Sequence, residues 1–245
     1  MHHVVLERWS RRDSLIHRRD PRVKLIATLA FLISVATTLP VTAPPVAAYA
    51  LFLLCCILIA RVPLSGLLLR SLIVLPFAGA FALISVLAGD PARAVAVLVK
   101  SYLSTAAVLL LVSATPMPRL LHGAEQLGAP RMVVLVVQFL YRYLFVISEQ
   151  GQHMRQASRC RGGFARSRRS GHRSSYRAAA GALAVLFGRS YQRAEAIHRA
   201  MLARGFQGRF RLLSPPALRA ADLLFLIIAA GVPVAVRLAA GGFLQ

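Results

Sequence analysis

Acidic residues are scarce in this 245-residue chain. Eight Asp and Glu stand against 30 Lys and Arg, a formal net charge of +22. Lysine is nearly missing too: Lys24 and Lys100 are the two present, so arginine carries the charge. The three cysteines build no disulfide framework, because Cys55 and Cys56 are adjacent in an apolar run and Cys160 stands alone in a basic one. Neither a metal site nor a redox pair has that spacing. A phosphate-binding loop is excluded as well. Neither lysine follows a glycine, so no Walker-type Gly-Lys-Ser/Thr exists and ATP hydrolysis would have to come from a partner. The seven histidines fall at 2, 3, 17, 122, 153, 172 and 198, none inside an apolar run, which argues against an intramembrane metal site. No catalytic residue, metal or cofactor is expected. Residues 1–24 are basic throughout and do not read as a cleavable signal peptide.

What is abundant is apolar. Hydrophobic residues make up 57% of the chain, and the mean hydropathy is +0.62. Together with the basic charge this points to an all-α, polytopic membrane protein with a large cytoplasmic face. Candidate spans are 25–39, 43–60, 71–88, 94–114, 132–148 and 217–238. The first opens on Asp20-Pro21-Arg22-x-Lys24. Asp20 can cap, Pro21 suits the first helical position, and Arg22 and Lys24 read as anchors at the interface. Lys100 is close enough to one surface to snorkel.

Counting spans raises a parity problem. Seven basic residues precede the first span, and four crossings return the chain to the cytoplasm near residue 115. A fifth crossing at 132–148 would export residues 149–214, which hold fourteen arginines and two acids, Glu149 and Glu195. The positive-inside rule argues against that, and Arg142 between Tyr141 and Tyr143 suits an interfacial helix. The expectation is therefore five transmembrane helices. Residues 1–24 form a basic cytoplasmic N-terminus, 25–114 hold four spans, 115–214 form a cytoplasmic module of long amphipathic helices, and 217–238 is the last span. Hydropathy alone gives six.

Inside the module, two segments share a pattern. At about 100° per residue, Val136, Leu140, Tyr143, Ile147, Met154 and Ala157 form one stripe, and Arg161 extends it. Leu183, Phe187, Ala194, Ile197 and Met201 form another, extended by Arg204, while Arg189, Arg193 and Arg199 point elsewhere. A lone arginine at a helix end usually complements the macrodipole, and glycine after it is usually a cap. Two such ends on apolar seams suit docking, with an apolar ridge in a partner's groove and a terminal guanidinium meeting a carboxylate.

These residues carry a resemblance. Asp20-Pro21-Arg22-x-Lys24-Leu25, "RCRGG" (159–163) and "RAMLARGFQG" (199–208) together resemble the transmembrane T component of energy-coupling-factor transporters, most closely the Q subunit of cobalt and nickel importers. The resemblance implies an importer in which this subunit links two cytoplasmic ATP-binding subunits to a membrane substrate-binding subunit, alongside a small accessory membrane subunit. It also implies that Ala-Arg-Gly helix ends sit in the ATPase grooves. Ala203-Arg204-Gly205 matches that motif intact. The first motif reads Cys160-Arg161-Gly162, with a small cysteine in place of alanine. Ala157-Ser158-Arg159 is the second choice. The resemblance favours cobalt, with nickel or a vitamin as alternatives, and a bacterial inner membrane with the N-terminus inside.

Other classes fit less well. A membrane enzyme would need a polar intramembrane cluster, and Asp90 and Asp222 read as isolated acids near interfaces. A self-contained secondary transporter would show paired broken helices, which Pro76 and Pro233 alone do not supply. The arginine-rich stretch 162–177 has few aromatics, so anionic lipids rather than nucleic acid are its expected counterions. Residues 115–132 read as an interfacial connector, with a short extra coupling helix as the functional alternative. What Glu125 meets is left open.

Overall fold

Asp20 opens the first helix as its position predicts. Its Oδ1 accepts the Arg22 N–H at 2.9 Å, and Pro21 fills the first helical position of α1 (Pro21–Thr37). The cap sets the start four residues ahead of the apolar run. Seventeen residues rise about 26 Å at 1.5 Å each, close to a hydrocarbon core of about 30 Å. The computed structural model describes residues 14, 16–17, 19–38, 43–161, 171–208 and 220–242.

Helix α2 (Ala43–Ala60) stops at Arg61, which takes a left-handed φ of 54° and donates its N–H to Leu58 O. Between the candidate spans 43–60 and 71–88, the chain is helical again from residue 64. Pro63 precedes α3 (Leu64–Ser71), whose Leu67 and Ser71 share a buried face one turn apart. A 3₁₀ turn (Leu72–Val74) then leads into α4 (Leu75–Leu87). The tightening has a local cause: Pro76 has no N–H to offer the Leu72 carbonyl. Helix α5 (Pro91–Ala114) starts on Asp90, whose Oδ1 accepts the Arg93 N–H at 3.0 Å, so that acid is an N-cap. The stretch expected as a plain connector contains a helix, α6 (Met117–Gln126), which closes at Gly128 with φ +105°. Long helices α7 (Arg131–Cys160) and α8 (Gly171–Ala203) follow, then α9 (Ala220–Gly242).

The chain divides into two compact units, residues 1–129 with 214–245, and residues 130–213. In the first, α1 is the central element and packs against α5, α6 and α9. Phe31, Val35, Tyr49, Leu53, Ile57 and Leu103 lead its core. Phe31 meets Tyr49 edge-on at 5.8 Å and stacks on Phe52 at 5.9 Å. The Tyr49 hydroxyl pairs with Thr38 Oγ1 at 2.9 Å and lies 3.4 Å from the Pro233 carbonyl, tying α2 to the end of α1 and to α9. Lys100 does not simply snorkel. Its Nζ donates to Ala36 O at 3.0 Å, placing a cation on the last carbonyls of α1. A cavity of about 70 Å³ lies within this unit, lined chiefly by apolar groups such as Phe31, Leu110 and Phe225, with Lys24 at its wall.

The outward faces of this unit are apolar. Leu51, Leu58, Ile73, Phe77, Leu87 and Leu224 are each more than half exposed. Water would penalise so large an apolar surface, whereas lipid chains would not. Among the described residues, 64–87, 91–114, 131–160 and 220–240 are long and apolar enough to cross a bilayer, and Pro44–Ala60 is a shorter apolar helix. With helices alone in its described residues, the chain is an all-α, multi-pass membrane protein.

The second unit consists of α7 and α8, which contact each other. On α8 the half-buried residues are Leu186, Ser190, Arg193, Ile197 and Met201, a single face at helical spacing. Arg193 therefore belongs to this face rather than pointing away from it. The proposed stripes are only partly covered: Tyr143, Ile147, Met154, Ile197 and Met201 are half-buried. Val136, Leu140, Leu183, Phe187 and Ala194 are exposed.

Candidate functional site

Two places concentrate the residues singled out by sequence. The first is the pair of helix ends in the second unit. Ala157, Ser158, Arg159 and Cys160 form the last exposed turn of α7, and Arg161, also exposed, takes the C-cap position with its N–H on Ala157 O at 3.1 Å. Gly162 lies outside the described residues. Helix α8 ends at Ala203, one residue before Arg204, so both helices stop immediately ahead of an exposed arginine.

The second end closes in a complete Schellman arrangement. Gly205 is left-handed at φ +74°. Its N–H reaches Leu202 O at 2.9 Å, and the Phe206 N–H reaches Met201 O at 3.0 Å. Local backbone geometry alone thus accounts for the glycine. It does not account for the arginine, whose side chain is left facing outward at the tip.

The second place is the short segment before and at the start of α1. Arg22 and Lys24 were read as interface anchors, and Lys24 is not one. It is 4% exposed. Its Nζ donates to His17 O at 3.2 Å, to Ala114 O at 3.2 Å and to Thr115 Oγ1 at 3.0 Å. An ammonium has three protons, and three acceptors take them. Burying it without partners would cost several kcal/mol, so the acceptors decide where this side chain can lie. Ala114 O is one of the carbonyls left without an intrahelical partner at the end of α5, and a cation there suits the helix dipole. Arg119 and Asp222 lie near enough for their charges to act on Lys24.

Asp222 is also not isolated. It is 4% exposed in the first turn of α9, and Arg19 lies 3.5 Å from its carboxylate. Asp20 spends Oδ1 on its cap, while Oδ2 is buried with no hydrogen bond among the described residues. Pro21 and Arg22 also receive α6. A β-carbon on Gly123 would sit 3.2 Å from Pro21 Cβ and from Arg22 N, tighter than ordinary contact, so glycine suits this close approach. Glu125 on the same helix lies 3.7 Å from His122 Nδ1, and His122 Nε2 is 2.7 Å from Gln126 Nε2.

Sequence reasoning located the motif and missed its contacts. Asp222 as the sole acid near the start of the last apolar run was an available signal, because a buried carboxylate needs a cation. Nothing in the sequence pointed to Gly123 as the place where α6 meets α1.

The family model described as CbiQ, cobalt transport protein, matches residues 12–214. A cobalt transport protein CbiQ of Rhodobacter capsulatus is 30% identical over 124 residues, 51% of this chain and 49% of that protein. Two uncharacterised proteins of Methanocaldococcus jannaschii are also similar. One is 30% identical over 106 residues, covering 43% of this chain and 38% of its own, and the other is 24% identical over 247 residues, covering 91% and 82%. The matched region thus spans about half the length of the Rhodobacter relative. Because the family match runs through the opening Asp-Pro-Arg motif, both long helices and both arginine-tipped ends, the chain belongs to the cobalt transport protein family, CbiQ.

Proposed function

We propose that this chain is the transmembrane coupling subunit of an ATP-driven importer of the energy-coupling-factor type, with cobalt ion as cargo and no chemistry of its own. The observation that carries the reading is that α7 and α8 each end one residue before an exposed arginine, on helices that leave most of their surface uncovered. Two cytoplasmic ATP-binding subunits would receive those ends, one groove each, with Cys160-Arg161-Gly162 and Ala203-Arg204-Gly205 as the docking motifs. A membrane substrate-binding subunit, with a small accessory subunit, would pack on the apolar faces of the first unit. The family description and the Rhodobacter relative's name support cobalt.

The reading carries a topology. Helices α1, α2, the run 64–87, α5 and α9 cross a bacterial inner membrane, with the N-terminus inside and 115–214 forming the cytoplasmic module. Length and composition alone would also let α7 cross. Arg142, exposed and 5.8 Å from the Tyr143 ring centre, favours the interface, as does the arginine excess that follows. Those arginines would meet anionic lipid headgroups at about 1 kcal/mol each.

Detergent pull-down of the tagged protein from native membranes tests the assignment. Wild type is expected to bring down an ATPase and a second hydrophobic subunit, and the Arg161→Glu/Arg204→Glu variant to lose the ATPase. Stoichiometric ATPase retained by that variant sinks the docking model.

A further inference from the structure

In the first unit, the segment leading toward the coupling helices and the first turn of α9 are tied to the same short stretch. Residues 115–129 lead from α5 toward Pro130, and α9 opens at Ala220 with Asp222 in its first turn. Lys24 holds Ala114 O and Thr115 Oγ1 at the start of the outgoing segment. Pro21 and Arg22 receive Gly123 of α6, further along it. Arg19 holds Asp222, where the returning chain enters the bundle. His17 O takes the remaining proton of Lys24, so the stretch is also tied to itself.

We propose that His17 and residues 19–24 are the mechanical anchor of the coupling module, and that Lys24 is a positioning residue through which displacement of the long helices is transmitted to the membrane bundle. This inference rests on the coupling reading above and adds a residue remote from the ATPase-binding tips.

The physical argument is one of stiffness. A coupling element transmits displacement only if its root is held more firmly than its tip, since a free root swivels and dissipates the motion. The α5–α6 corner has no regular backbone ladder of its own. Thr115 is extended (φ −147°, ψ 124°) and 1% exposed, and the first N–H groups of α6 gain no side-chain cap. The Lys24 bonds and the Gly123 contact, with the buried Leu120, hold its orientation. Removing the ammonium frees one carbonyl and one hydroxyl at the corner and leaves the arginine-tipped ends untouched. Docking and hydrolysis are therefore expected to survive while transmission fails.

The test is the whole complex, purified and reconstituted into liposomes, with ATP hydrolysis and Co²⁺ uptake measured on the same preparation. Lys24→Met is expected to copurify the ATPases at wild-type stoichiometry and to hydrolyse ATP at a similar rate. It should consume roughly tenfold more ATP per ion than wild type. Lys24→Arg, which keeps a cation at the corner, should recover much of that ratio. An unchanged ratio in Lys24→Met overturns the inference, as does an arginine variant no better than the methionine one. Should Lys24→Met fail to assemble, Thr115→Val removes a single acceptor; a rise of about threefold supports the anchor, and an unchanged ratio refutes it. Wild type that brings down no ATPase refutes the coupling reading itself, a result separate from either variant's.

Discussion

Arg19 and Asp222 form an ion pair at 3.5 Å that joins the segment before α1 to the first turn of α9. The carboxylate is almost wholly buried, and the arginine side chain keeps about a quarter of its surface exposed. The arrangement secures the last helix to the first at one end of the bundle.

Asp222→Asn removes the charge and keeps the shape. It costs the ion pair and the acid's favourable place at a helix N-terminus, together about 2 kcal/mol. The expected result is a lower thermal midpoint for the detergent-solubilised protein. A midpoint equal to wild type would show that Arg19 contributes nothing at this site.

Gly123 sets how closely α6 approaches α1. Alanine gains about 1 kcal/mol of helix propensity and meets backbone at 3.2 Å, so Gly123→Ala should be close to neutral. Leucine cannot be accommodated by a small shift, and Gly123→Leu should destabilise by about 1–3 kcal/mol. Thermal unfolding of the pair distinguishes steric crowding from propensity. Equal midpoints for the two variants would remove the close approach as an explanation.

Gly205 has open space around its α-carbon, so its cost of substitution is conformational alone. Gly205→Ala should lose about 1 kcal/mol locally by forcing a side chain into a left-handed φ, and Gly205→Asn less. Hydrogen exchange is the suitable measurement, since the effect belongs to the final turn of α8. Faster exchange at Phe206, whose N–H closes the cap on Met201 O, is the signature.

Topology can be read from a native thiol. Cys160 is exposed at the end of α7. With Cys55 and Cys56 replaced by alanine and the chain produced without its ATPases, a membrane-impermeant maleimide should label it in inverted vesicles and leave it unlabelled in intact cells. The reverse pattern would mean that α7 crosses and that the arginine-rich module is exported.

The helices were largely legible because their cues are local. Asp20-Pro21 announces a capped start, long apolar runs announce membrane helices, and Ala203-Arg204-Gly205 announces a glycine-closed end. Contacts between distant segments were not. Lys24 near an apolar run reads as a surface anchor until Ala114 and Thr115, some ninety residues on, come round to meet its ammonium. Asp222 read as isolated for the same reason. The run 64–87 was misjudged at its start because Arg70 looks like loop, although Leu67 and Ser71 were already spaced for a buried helical face.

If the chain serves a metal importer as proposed, the cavity with Lys24 at its wall bears on the ion's route. A divalent ion surrenders tightly held water only where oxygen, nitrogen or sulfur donors replace it. The wall around this cavity offers hydrocarbon, one hydroxyl at Thr28, one thiol at Cys56, and an ammonium whose charge opposes the ion's own. A bare divalent cation would find repulsion there instead of ligation. On the importer reading, this pocket is an electrostatic dead end for a metal ion, and passage is expected at a surface that a neighbouring subunit completes.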